Sequence, residues 1–423
     1  MKKDSSSSRL RTLVLSALCA ALMSTGFLGS TAAVAQQTSP PAVSEAIDAE
    51  GVSVVDTPVA VPVDAARSSE SDESCQTVSK AEAICITIGA GAPPAQNEGG
   101  PQAKAIVGVP SWCLDLGVAN TFWATRTAMC GIFDGQLTVH QIVNGVPGPV
   151  TGTMNFLMYN YIYTSTSATT WANQMQVSPT VITGTAAGTQ ISGTASCIGN
   201  CTPVSSTFPV QTPVAHATAD GESYYEWLGT AGQVGSSTTN WILSFKAPSA
   251  PTPATLLRNA PETRCDHATP GRAVAGCVVP FVAPYIEYDA AVFPEFGTHV
   301  YGAQLSGLPG SATPLHRLTD PTAIAANRNT ACPSSLPRPT GKSCDEYPFA
   351  STYEGAALSG GGPRTQSWCG VTLSGPPSTG ALGYSVCMID ETENSTAGSL
   401  LNSLLLSPYR IIDGDAYYVD IIL

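Results

Sequence analysis

Cysteine placement constrains this chain more than any other feature. Of its 13 cysteines, all but Cys19 lie at or after Cys75, which leaves an even twelve. An even number in an exported chain reads as a disulfide framework. The spacing suggests neighbour pairs: Cys75 with Cys85, Cys113 with Cys130, Cys197 with Cys201, Cys265 with Cys277, Cys332 with Cys344, and Cys369 with Cys387. Spacing suggests this connectivity without proving it. Zinc ligation is disfavoured, because no Cys-x-x-Cys pair and no His-x-x-x-His element is present to build a tetrahedral site.

Export is read from the first residues. Lys2, Lys3, Arg9 and Arg11 precede an apolar run from Leu13 to Leu28, and Ala33-Val34-Ala35 offers a small-x-small cleavage pattern. Residues 1–35 are therefore expected to be a signal peptide, with Gln36 opening a secreted, extracellular mature chain. The run is short for a membrane span and is broken by Ser, Thr and Gly, so no membrane span is expected after cleavage. The formal charge is −13, and the leader carries four Lys/Arg against Asp4, so the mature chain is near −16. Such a chain is not drawn to polyphosphate over long range. Any chemistry on nucleic acid must rest on local groups and a bound cation.

Composition and periodicity divide the rest. Residues 36–74 are Ser-, Pro-, Ala- and acid-rich without period, and read as a disordered linker or pro-segment. Residues 75–250 show short strands and turns. Gln136 to Val143 alternates before Asn144-Gly145, Met154 to Thr164 alternates with Leu157, Tyr159, Tyr161 and Tyr163 on one face, and Trp241 to Phe245 is a further strand. This predicts a β-rich, sandwich-like domain. The tyrosine face reads as core more readily than as a carbohydrate-binding surface. Residues 251–283 form a disulfide-stapled connection. Residues 284–423 change to mixed α and β: Phe293 to Leu305 and Pro321 to Cys332 read as helices, the second capped by Asp320, and Ala397 to Leu406 as a Leu-rich helix stopped by Pro408. Arg410 to Ile421 reads as a hairpin about Asp413-Gly414.

The informative cluster is Cys344-Asp345-Glu346-Tyr347-Pro348-Phe349-Ala350, with Glu354-Gly355 downstream. Adjacent carboxylates between a candidate disulfide cysteine and a proline are hard oxygen donors suited to Mg²⁺, Mn²⁺ or Ca²⁺. One of them can also take a proton from water. Asp390, Glu391 and Glu393 beside Asn394 form a third acidic set. Acids at a helix start also complement its dipole and need no other purpose.

The segment from Pro284 to Leu423 resembles the NucA/NucB-type deoxyribonuclease domain of secreted bacterial nucleases. Phe293 to Val300 resembles its opening helix, with His299 as the histidine. Asp345-Glu346-Tyr347-Pro348-Phe349-Ala350 resembles its Asp-Glu-aromatic-Pro core, and Glu354-Gly355 its Glu-Gly. Glu393-Asn394-Ser395 stands where the family has Asp-Asn-Arg, and Arg410 to Asp415 resembles the closing strand. The resemblance implies an α+β, ββα-metal-type nuclease fold acting on DNA with a divalent cation, Mg²⁺ or Mn²⁺. It implies Asp345 as the base that activates water, Asn394 and Glu346 as metal ligands, Glu346 and Glu354 as further catalytic groups, and His299 as a site residue. The Ser395 departure removes a basic group, and this third of the chain holds six Lys/Arg against thirteen Asp/Glu. Arg317, Arg328, Arg364 and Arg410 would have to gather at the site to attract DNA. The competing reading is a non-enzymatic, secreted cell-surface or matrix-binding protein, engaging envelope or matrix through its N-terminal domain and carrying a degenerate nuclease-like domain. A serine or cysteine hydrolase is disfavoured, since Gly-x-Ser-x-Gly is missing and the cysteines pair. A monomer is expected.

Overall fold

The computed structural model of the 423-residue chain describes residues 51–61, 73–89, 108–116 and 120–423, all within one compact unit. The expected signal peptide and most of segment 36–74 lie outside the described residues. No described helix is long and apolar enough to cross a membrane.

The architecture is mostly β-sheet with few helices. Three long strands, Ala128–Val143, Val146–Ser165 and Ala168–Gly184, form an antiparallel meander at the centre of a nine-stranded sheet. The first turn is where the sequence places it: Asn144 and Gly145 both have positive φ (54° and 82°), which matches the twist of the strands they join. A five-stranded sheet built around Val234–Lys246 shares one core with the large sheet. Phe156 stacks on Phe245 at 5.6 Å and Phe208 meets Trp241 edge-on at 5.7 Å. Burying each such ring contributes about 1.5–3 kcal/mol. The alternation in Val146–Ser165 is real, but the face that enters this core carries Met154, Phe156, Met158 and Ile162. The tyrosine face lies opposite. Tyr161 and Tyr163 join a small cluster under Trp112 and Cys113, while Leu157 and Tyr159 stay half-buried.

The C-terminal part has its own core. A four-stranded sheet runs Val52–Val55, Tyr285–Asp289, Ala416–Ile422, Leu315–His316. Val52–Val55 belongs to the stretch expected as a linker, yet it pairs antiparallel with Tyr285–Asp289 and buries Val52 and Val54. A three-stranded sheet pairs Lys342–Tyr347 with Tyr384–Asp390 and adds Pro363–Arg364. The helices are Pro294–Leu305, Pro321–Ala331 and Glu391–Leu400, the last continuing as a wider π-turn over Leu401–Leu406. Asp320 caps the second helix, accepting from Ala323 N at 2.7 Å. The third begins at Glu391, ahead of its Leu-rich portion, because Asp390 accepts from Thr392 N and Glu393 N and so supplies its cap.

The expected C-terminal hairpin does not form. Ala416–Ile422 pairs in parallel with Tyr285–Asp289, and Arg410 turns away with φ 52°. Its fully buried guanidinium reaches Asp266, donating to Oδ2 at 2.9 Å and Oδ1 at 2.7 Å. Arg126 and Arg264, from the β-rich part, reach the opposite oxygens of Asp415 at 2.7 and 2.6 Å. These ion pairs join the β-rich and C-terminal parts. All six suggested disulfides are present.

Candidate active site

The two strands that carry the site are each fastened by a disulfide, Cys332–Cys344 on one and Cys369–Cys387 on the other. Asp345 lies directly across from Cys387 in the antiparallel register. The Pro294–Leu305 helix is tied to both strands by Glu295, whose carboxylate pairs with Lys342 and accepts from Asp390 N at 2.6 Å. Its N-terminus is closed by Glu393, which accepts from Glu295 N at 2.9 Å and Phe296 N at 3.1 Å. Asp390 and Glu393 thus serve as helix caps, the plainer of their two readings.

This scaffold places His299 behind Asp345. His299 Nδ1 is 2.6 Å from Asp345 Oδ2, and its Nε2 is 2.9 Å from Ser385 Oγ. His299 is wholly buried and Asp345 is 5% exposed. An ionised Asp345 can only accept, so Nδ1 carries the proton in this pairing. The hydrogen bond uses Oδ2 alone.

Asp345 also lines a cavity of about 880 Å³ together with Glu346, Asn394, Arg328, Ser395 and Arg338. The Glu346 carboxyl is pushed up to about 8, first by burial and then by the neighbouring Asp345 charge, while Arg328 opposes this weakly from 3.9 Å. Asn394 Nδ2 donates to Ser343 Oγ at 2.9 Å and Cys344 O at 3.3 Å, which fixes the amide on the strand edge. Two adjacent carboxylates short of positive charge, beside a fixed amide, are a hard-oxygen donor set that fits a divalent cation. Among the described residues no three His, Cys, Asp or Glu side chains gather to hold a metal, so any ion here depends on Asn394 and water as well.

Two expected site residues fall outside the cavity lining. His299 reaches it only through Asp345. Glu354 is held elsewhere: its carboxylate accepts from His316 N at 2.9 Å and pairs with His316 Nδ1 at 2.7 Å. The basic groups also divide differently from the expectation. Arg317, Arg364 and Arg410 are buried. Arg364 donates to Ser306 O and Gly380 O, and Arg410 belongs to the Asp266 pairing. Arg328 and Arg338 are the two at the cavity, and Arg338 was missed because its neighbours Pro337 and Pro339 look like plain loop. Arg338 is occupied with the carbonyls of Cys332, Pro333 and Leu336.

Comparison with curated proteins and with solved structures gave no match. A family model does match. The stretch 311–420 contains the carboxylate strand, its partner strand, Asn394 and most of strand Ala416–Ile422, and excludes His299 and its helix. Over residues 311–420 the C-terminal third of the chain matches the family Deoxyribonuclease NucA/NucB.

Proposed function

We propose that this protein is a secreted, metal-dependent endonuclease that hydrolyses DNA phosphodiester bonds at the Asp345 cavity. The observation that carries the reading is the Asp345 carboxylate, held from behind by a buried histidine and facing a large cavity beside Glu346 and Asn394, within the family-matched stretch. Strands Lys342–Tyr347 and Tyr384–Asp390 with helix Glu391–Leu400 then act as a ββα nuclease unit. Glu346 and Asn394 would hold Mg²⁺ or Mn²⁺. When bound, such an ion supplies charge stabilisation for the phosphate in attack.

The chain's own groups do the rest. Asp345 takes the proton from the attacking water, and His299 keeps the carboxylate aimed by holding Oδ2. Arg328, 62% exposed at the side chain, contacts a phosphate oxygen where Ser395 supplies no charge. In the C-terminal part Arg317, Arg364 and Arg410 are buried, Lys342 pairs with Glu295 and Arg338 is held by loop carbonyls, so attraction to DNA leans on the metal. The disulfide framework supports an extracellular site of action. The mature protein is taken to act as a monomer, with the β-rich part available to engage the cell envelope or matrix.

The test is nicking of supercoiled plasmid by the mature chain with Mg²⁺ or Mn²⁺, stopped by EDTA. Asp345→Ala is expected to lower the rate by roughly 10²–10⁴ without unfolding the protein. Cleavage by Asp345→Ala at the wild-type rate overturns the assignment of the base. Retained polysaccharide binding with no cleavage under any divalent ion supports the non-enzymatic reading instead.

A further inference from the structure

The tyrosine face of the large sheet, turned away from the second sheet, carries a polar cleft that the nuclease reading does not use. Gln174 and Gln176 on one strand stand directly across from Glu222 and Asp220 on the next, and Thr207 stands across from Glu222 on the strand beyond. These residues line a cavity of about 140 Å³. Glu222 is 5% exposed and Gln174 is 3% exposed.

The cleft is short of positive charge and of donors. Glu222 Oε1 accepts from the Tyr163 hydroxyl at 3.0 Å and from Gln174 Nε2 at 3.0 Å. Among the described residues Glu222 Oε2 and Gln174 Oε1 are buried with no hydrogen-bond partner. Both are acceptors. Among the described residues neither Asp220 nor Glu222 forms an ion pair. Leaving a carboxylate oxygen buried and unpaired is costly. A water can satisfy one acceptor, but it does not neutralise two carboxylates.

The available donors are carboxylate, amide and hydroxyl oxygens, with no nitrogen or sulfur ligand. That is the set Ca²⁺ accepts, in a flexible shell filled out by water, whereas Mg²⁺ demands a tighter octahedron. We propose that this cleft binds a calcium ion through Glu222, Asp220 and the side-chain oxygen of Gln174, with water completing the shell. Two carboxylates make it a weak site, on the order of 10⁻⁴–10⁻³ M, the affinity class of extracellular modules. Its residues are distinct from those of the Asp345 cavity, so it stabilises the β-rich part independently of cleavage.

Terbium, a calcium-sized ion, is the probe, because Tyr163 is bonded to Glu222 and can sensitise its emission. The measurement uses the full mature chain and its Glu346→Gln variant, in which the other cavity is impaired. Tyrosine-sensitised terbium emission, displaced by Ca²⁺, and a Ca²⁺-dependent rise in Tm are expected in both. Glu222→Gln and Asp220→Asn are expected to weaken both signals by roughly ten-fold or more, with plasmid cleavage unchanged. Should Glu222→Gln fail to fold, Asp220→Asn decides, since its side chain is more exposed. Emission undiminished in the folded variants overturns the proposal. So does a wild-type chain with no emission and no Tm rise up to roughly 10 mM Ca²⁺, ten times the weakest affinity of that class.

Discussion

His299 Nδ1 and Asp345 Oδ2 lie 2.6 Å apart, and both residues are buried against the C-terminal core. The pairing holds the carboxylate from a residue outside the cavity lining. It also spans 46 residues of sequence and crosses the boundary of the family match, so a residue outside residues 311–420 sets the geometry within them.

His299→Ala is therefore expected to lower kcat by roughly 10²-fold, the scale of a small misplacement of a reacting group, while KM changes little. His299→Asn, which keeps a donor, should recover part of the loss. Steady-state cleavage kinetics beside a thermal melt separate orientation from folding. A fall in Tm with kcat unchanged would show that the histidine serves stability alone.

Arg328 is an exposed cation at the cavity, so Arg328→Ala should weaken DNA binding and reduce the magnitude of the salt slope by about one. Arg338 holds three loop carbonyls, so Arg338→Ala should loosen the loop with a smaller change in that slope. Binding titrations across a salt series check both. Equal slopes for Arg328→Ala and wild type would remove Arg328 from the phosphate contact.

Glu354 is engaged by His316 and lies outside the cavity lining. Glu354→Gln is expected to keep cleavage within about two-fold and to lower stability by about 1 kcal/mol, since the pair is partly exposed. Denaturant melts and cleavage rates on the same sample test this. A loss of activity well beyond ten-fold at full stability would return Glu354 to the site.

Asp266 and Arg410 are buried as a pair between the β-rich and C-terminal parts. Removing one partner leaves a buried charge, so Asp266→Asn should cost roughly 3–5 kcal/mol. Burial alone would raise the Asp266 carboxyl, but hydrogen bonds from Arg410 and Thr269 more than offset it and hold it below its ordinary value. A carboxyl lowered in the fold contributes stability that is full above its unfolded pKa, roughly 3.9, and is lost as pH falls through the folded value. Acid titration of Tm should thus show a loss below about pH 4 that Asp266→Asn blunts. Parallel acid profiles for the two proteins would count against the linkage.

Legibility followed sequence distance. The six disulfides, the Asp320 cap and the Asn144-Gly145 turn were readable because each joins residues close in the chain. The tyrosine face of Val146–Ser165 is core only in part, with Tyr161 and Tyr163 in a side cluster, since two-residue alternation names two faces without saying which one the second sheet covers. The final hairpin was misread for a related reason. Asp413-Gly414 is good turn chemistry, but Tyr285–Asp289 offers Ala416–Ile422 a longer partner, and Asp266 draws Arg410 away.

The candidate site divides the same way. Asp345, Glu346 and Asn394 were legible as oxygen donors in a recognisable motif, and the structure places all three at one cavity. Glu354 shares the motif, yet His316 takes it elsewhere. Arg126 reaches Asp415 across 289 residues, a contact no local pattern announces. By itself the sequence determined the strand-rich texture and the carboxylate motif and suggested the disulfide pairing that the structure shows, because those depend on spacing and residue chemistry along the chain. Tertiary structure alone decided that His299 backs Asp345, that Glu393 closes a neighbouring helix, and that two acids and two glutamines meet on the tyrosine face, because each is a packing of side chains from distant strands and helices.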